Sequence, residues 1–233
     1  MRRNILLALI IAIVVAGTMQ WYIPRVVETR IGKAVEKAAD QVNYLDIDVK
    51  VTPASKVFMG RIDKLTIDAK ELVIQGLPIA AFVASFDGVW VNPLEVLKGE
   101  LVVQWVRQLR ATVLLEEEGI NQYFWTHVDP GKRFAIRLVG GFARLVGQVS
   151  ILGRPIELTL NGKFEIVGPT AIEYVPTELV VSQTRIPEFL LDAVMQERRF
   201  IIDLKDLPVP VMLDAITVER GKVYVFGKER SPE

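Results

Sequence analysis

Residues Ile5 to Ile23 carry no charged side chain and follow directly on Met1-Arg2-Arg3-Asn4. A helix over this run extends roughly 28 Å, close to the hydrocarbon thickness of about 30 Å. The spacing predicts one membrane crossing, so the rest of the chain is expected to work beside a bilayer. Trp21 and Tyr22 stand where amphipathic aromatics settle among headgroups, and Pro24 lacks the amide that a continuing helix needs. A cleaved signal shares the charged start and apolar stretch but needs small residues at a cut site, for which Ala16-Gly17-Thr18 is a poor match. A lipoprotein signal requires a cysteine, and the chain has none. A buried helix of a soluble fold rarely runs this far without a polar face. Residues 1–24 are therefore read as an uncleaved membrane anchor, ahead of a cleaved signal.

Flank charge does not orient the anchor, because Arg2 and Arg3 face Arg25, Arg30, Lys33 and Lys37 across it. Long C-terminal domains translocate largely regardless of such charges, so a single-pass cell-membrane protein with its C-terminal domain outside the cytoplasm is expected. The lack of cysteine is compatible with an oxidising compartment. About 210 residues follow the anchor, enough for one well-cored domain or two small ones, and no linker, low-complexity tract or charge block divides them. They are read as an amphipathic helix at 25–42, a domain at 43–229 and a tail at 230–233. With 28 cationic and 28 anionic side chains there is no field to draw a polyanion, which argues against nucleic acid as a partner.

Val27, Ile31, Ala34, Ala38 and Val42 make the apolar stripe of that helix. Acids alternate with its cations, which fits a solvated face better than a basic surface against headgroups. From Asp46 the period becomes two: Ile47, Val49 and Val51, then Leu65, Ile67 and Ala69, mark half-buried antiparallel strands. Leu77 to Phe86 leaves neither face polar and reads as a strand covered on both sides. Pro93 opens a short helical turn through Leu97, and another long strand region follows from Leu101 to Leu115. Glu116-Glu117-Glu118 then starts a helix carrying Ile120, Phe124 and Val128, its acids near the positive end of the helix dipole.

Asn161-Gly162 has the composition of a two-residue hairpin turn, yet a turn there would face Leu158 with Glu165 and Leu160 with Lys163. One continuous strand to Val167, turning at Gly168-Pro169-Thr170, instead sets Ile166 opposite Ile172 and Phe164 opposite Tyr174. Pro187 begins a further helix with Leu190, Leu191, Val194 and Met195 on its stripe. Met212 to Glu219 pairs back on Lys222 to Gly227 across Arg220-Gly221. The expected class is α+β: a long-stranded, strongly twisted antiparallel sheet wrapped around a few amphipathic helices.

Catalytic chemistry finds few parts here. There is no G-x-S-x-G, no cysteine and a single histidine, His127, read as a helix-end residue. A zinc site lacks ligands for the same reason, and the glycines at 140, 141 and 147 lack the lysine of a phosphate loop. Paired carboxylates for glycoside cleavage meet only in three dimensions and stay open at this point, yet the chain is read as a non-enzyme without a cofactor.

The run Val57-Phe58-Met59-Gly60-Arg61-Ile62-Asp63-Lys64-Leu65-Thr66-Ile67, then Gly76-Leu77-Pro78 and Gly88-Val89-Trp90-Val91-Asn92-Pro93-Leu94, resembles the LmeA-like family of bacterial cell-envelope proteins. The stretch Glu116 to Phe124 is similar to that family's acid-rich helix start, and Leu207-Pro208-Val209-Pro210-Val211 with Ile216 to Gly227 to its C-terminal strand pair. Gly119 departs from the pattern, which has an acid or larger residue there. The resemblance implies a phospholipid-binding domain, similar in fold to tubular lipid-binding proteins, with acyl chains in an apolar groove. It implies a phospholipid and a membrane as partners and a place in envelope biogenesis or maintenance. Phe82, Phe86, Phe124, Phe142, Phe189 and Met195 are the candidates for the lining, chosen from apolar faces. The competing reading is a non-catalytic assembly protein of the envelope, with a filled core and a protein-binding surface.

Overall fold

The computed structural model describes residues 24–92, 103–151, 154–181, 184–186 and 200–229, with single positions at 18, 20, 22 and 95. Helix α1 (24–38) leads into β1 (Gln41–Lys50), a 3-10 helix (Ala54–Met59), β2 (Arg61–Ile74), β3 (Leu77–Val91) and β4 (Val103–Glu116). After helix α2 (Glu117–His127) come β5 (Phe134–Val139), β6 (Phe142–Ile151), β7 (Arg154–Val167), β8 (Ala171–Val181) and the short β9 (Thr184–Ile186). β10 (Phe200–Asp203), β11 (Met212–Glu219) and β12 (Lys222–Lys228) follow.

The expected antiparallel sheet with few helices is present, but it divides into two. One sheet has the order β1-β2-β3-β4-β12-β11, the other β10-β8-β7-β6-β5 with β9 on β8. β11 lies against β5, β6 and β7, so the last strand of the first sheet overlaps the second. Main-chain bonds fasten the junction: the Gly141 amide donates to the Val218 carbonyl and the Leu213 amide to the Pro169 carbonyl, both at 2.8 Å.

β3 is not covered on both sides as its sequence suggests; its outer face is open, with Val83 40% exposed. The apolar run arises because the inward face changes parity. Buried partners across β2 and β3 are Ile62 with Val89, Leu65 with Phe86, Ile67 with Ala84, Ala69 with Phe82, Leu72 with Ile79, and Ile74 with Leu77. The spacing of two becomes three at Ala69–Leu72 opposite Ile79–Phe82, and again at Ile62–Leu65 opposite Phe86–Val89. Glu71 (φ 51°) and Gly88 (φ 64°) lie at these steps. Both strands switch together, so pairing keeps one register while the ribbon coils. A concave, fully apolar inner surface results.

α1 ends before Val42. The Asp40 amide donates to the Val73 carbonyl at 2.8 Å, the Asp40 carboxylate accepts the Gly76 amide at 3.1 Å, and the ladder Gln41–Val73 begins the strand at once. Its buried stripe is Val27, Ile31 and Val35, while Ala34 and Ala38 are exposed. The larger β-branched side chains hide more apolar area, which selects that face. Glu28 accepts the Val49 amide at 3.1 Å and so ties α1 to the outer strand β1.

α2 begins where its acids place it, and those acids do more than answer the dipole. Glu117 accepts the Leu138 amide (2.7 Å), Asn121 both accepts the Ile136 amide (2.7 Å) and donates to its carbonyl (2.8 Å), Trp125 donates to the Phe134 carbonyl (2.7 Å), and Asp129 accepts the Phe134 amide (2.8 Å). Four helical residues advance about 6 Å and two strand residues about 6.6 Å, so a row at every fourth position matches alternate residues of β5. The helix thereby closes the free edge of the second sheet. Gly119 permits this seating, since a Cβ there would stand 2.9 Å from the Pro78 carbonyl oxygen of β3.

β7 runs unbroken through Asn161-Gly162, with Ile166 opposite Ile172 and Phe164 opposite Tyr174. The dipeptide marks a bulge against β8, where a Gly162 Cβ would lie 2.6 Å from both the Tyr174 ring and the Val175 carbonyl oxygen. Tyr174 cannot swing aside cheaply, because its buried hydroxyl donates to the Leu160 carbonyl at 2.6 Å. Gly162→Ala is expected to cost about 1–3 kcal/mol in denaturant unfolding. The cost should shrink in a Tyr174→Ala background.

Candidate functional site

A cavity of about 580 Å³ opens on the concave side of the first sheet. That lies within the range of roughly 300–1,000 Å³ found for ligand pockets. Leu65 and Ile67 of β2, Phe86 of β3 and Leu109 of β4 line it from the sheet, Ile31, Ala34 and Val35 of α1 from one side, and Pro208-Val209-Pro210 from the segment before β11. Val103, Gln104, Trp105 and Val106 continue the wall along β4.

Local sequence explains each wall. The first half of β4 keeps apolar side chains on both faces, and from Leu109 onward only alternate residues are buried. Pro208 and Pro210 cannot donate to a ladder, which holds the 208–210 segment out of the sheet as a strap. The floor residues Ile31, Val35, Leu65, Ile67, Phe86 and Leu109 are buried, whereas Ala34, Val103, Trp105 and Pro210 are exposed and form the rim. An apolar ligand would find a dry floor and an open edge.

Among the described residues only two polar side chains, Gln104 and Glu229, border this cavity. The Leu109 amide donates to the Glu229 carboxylate at 3.0 Å and holds its pKa below the usual carboxylate range. Glu229 therefore presents a negative charge at the edge at neutral pH. His127, at the C-terminal end of α2, bonds through Nδ1 to the Tyr123 carbonyl oxygen at 2.9 Å and stacks on the Tyr123 ring. Among the described residues no group of three His, Cys, Asp or Glu side chains is placed to hold a metal ion.

Of the residues expected in the lining, Phe86 faces the cavity. Phe82 and Phe124 are buried further along the interior, where Phe124 meets Phe200 edge-on at 5.2 Å. Phe142 is half-buried at the start of β6 beneath the Arg144 guanidinium. Phe189 and Met195, with their helix, lie outside the described residues, as does the turn at Pro93 apart from position 95. Aromatics plug the α2 end, and mostly aliphatic side chains line the open end. The Pro-Val-Pro strap and the two-faced apolar start of β4 were the signals for that end.

Residues 18–227 match the family model described as LmeA-like phospholipid-binding. The chain belongs to this family. No match was found among the curated proteins or among the solved structures. In this LmeA-like chain the matched span contains every described residue of the cavity wall apart from Glu229. It is thus a member of a phospholipid-binding family whose interior is partly filled and partly open. Among the described residues no helix is long and apolar enough to cross a membrane, and the segment Ile5 to Ile23 falls almost wholly outside them.

Proposed function

We propose that the chain is a membrane-anchored, extracytoplasmic lipid-binding protein that holds or carries phospholipid acyl chains in this groove during envelope biogenesis or maintenance. The cavity carries the reading: a floor of buried apolar side chains, a rim open to solvent, and a volume of about 580 Å³. Burial of apolar ligand surface stabilises a complex by roughly 25 cal/mol per Å², and such a slot provides that burial without directional bonds. The anchor reading of residues 1–24 supports membrane residence, and the family supports phospholipid as the ligand. Phospholipid and the membrane are the partners proposed; no catalytic residue is assigned.

Native mass spectrometry of the full chain released from detergent tests this. The expected spectrum contains a species heavier by one phospholipid, which dissociates on collisional activation. A spectrum of bare protein, combined with failure to take up labelled phospholipid, would reject the carrier reading and leave the assembly protein.

A further inference from the structure

Ten large apolar side chains stand exposed among the described residues, and six of them, Tyr22, Val26, Phe58, Met59, Val103 and Trp105, belong to segments that meet at one end. Gln20, ahead of α1, is tied there: its Nε2 donates to the Val51 carbonyl at 2.6 Å and its Oε1 accepts the Ala54 amide at 2.7 Å. The 3-10 helix follows immediately and ends in Phe58, 47% exposed, and Met59, 64% exposed. Gly60 then accepts the Val91 amide at 2.8 Å, which places this tip beside the last residues of β3.

On the outer face next to the tip, Arg61, Trp90 and Trp105 lie side by side across β2, β3 and β4. The two indoles meet edge-on at 4.5 Å and the guanidinium covers Trp90 at 5.9 Å. Trp105 is 45% exposed and also lines the groove, as does Val103, so tip and groove mouth share an end. Arg61 and Arg107 are exposed there, while the nearby acids Asp63 and Asp87 are engaged by Lys56 and Arg110.

We infer that this end is a bilayer-docking surface, in which Phe58 and Met59 enter the acyl layer, Trp90 and Trp105 sit at headgroup level, and Arg61 and Arg107 meet lipid phosphates. Apolar tips bounded by tryptophan and cations suit the polarity gradient of a membrane interface. Its occupant follows from chain direction: Gln20, within the uncharged run that ends at Ile23, is fixed at this same end, so with that run read as the membrane anchor its bilayer lies against Phe58 and Met59. The groove mouth then opens toward lipid, and an acyl chain can enter without crossing water. That benefit rests on the proposed groove, and the docking geometry rests on the proposed anchor alone.

The chain has no cysteine, so single cysteines report cleanly. Met59→Cys and, at the far end on α2, Gln122→Cys would each carry an environment-sensitive dye, with the full chain reconstituted into vesicles of phosphatidylcholine and phosphatidylglycerol. The expected result is blue-shifted emission at position 59, quenched by brominated acyl chains, and water-like emission at position 122. Adding Phe58→Asp should return the position 59 dye to water-like emission while uptake of labelled phospholipid from detergent micelles persists. Water-like emission at 59 in the parent, or immersion unchanged by Phe58→Asp, would overturn the proposal. Loss of micellar uptake in the parent would instead strike the groove reading and leave the docking result standing.

Discussion

Replacing Asn121 by leucine is expected to cost about 2–5 kcal/mol of folding stability, because two backbone groups of Ile136 lose their partners inside the protein. Asn121 is 5% exposed, and its amide both donates to and accepts from that one residue of β5. Leucine preserves bulk and is the better helix former, so a loss reports hydrogen bonding and not an emptied site or a weakened helix. Each stranded group costs about 1–3 kcal/mol because water cannot reach it. Denaturant unfolding of the full chain measures this as a lower midpoint. Glu118→Gln, altered on the exposed face of the same turn, should lower the midpoint far less, by the roughly 0.3–1 kcal/mol of a first-turn acid. Equal stability of Asn121→Leu and the parent would show that α2 does not substitute for a strand at the β5 edge.

That row of side chains illustrates where the sequence was opaque. Glu117, Asn121, Trp125 and Asp129 share one helical face, and a mostly polar face ordinarily means solvent. Here it meets the open backbone of β5, a partner that no periodicity in the helix reveals. Strand register was easier to read. In β7 the alternation of Leu158, Leu160, Phe164 and Ile166 with polar neighbours leaves one turn position that keeps like side chains facing across β8, and the pairing follows it. β2 and β3 break that logic, because both change face in step; apolar residues on either parity then look like two covered faces.

The groove was harder still. Its walls come from α1, three strands and the strap before β11, brought together only by the coiling of the sheet. Choosing phenylalanines as its lining favoured the residues that bury most area, and burial of that kind fills space. Phe82 and Phe124 pack the interior, while smaller aliphatic side chains leave the opening at the other end. The resemblance to a lipid-binding family pointed to a slot, but only the arrangement of α1 against Pro208-Val209-Pro210 places one.

Ala34 offers a way to close that slot without disturbing what surrounds it. Its methyl group is exposed on the rim, so a larger side chain there can turn into the opening. An indole in the opening would displace much of a bound acyl chain, and each buried methylene contributes about 0.8 kcal/mol. Uptake of labelled phospholipid by the detergent-solubilised parent and by Ala34→Trp, with both melting temperatures recorded, is the most direct test of lipid occupancy in the groove. The parent should load, and the variant should bind at least about tenfold more weakly, the change that 1.4 kcal/mol brings, while melting at the same temperature. Equal loading of the two proteins, or no loading of the parent, would contradict it.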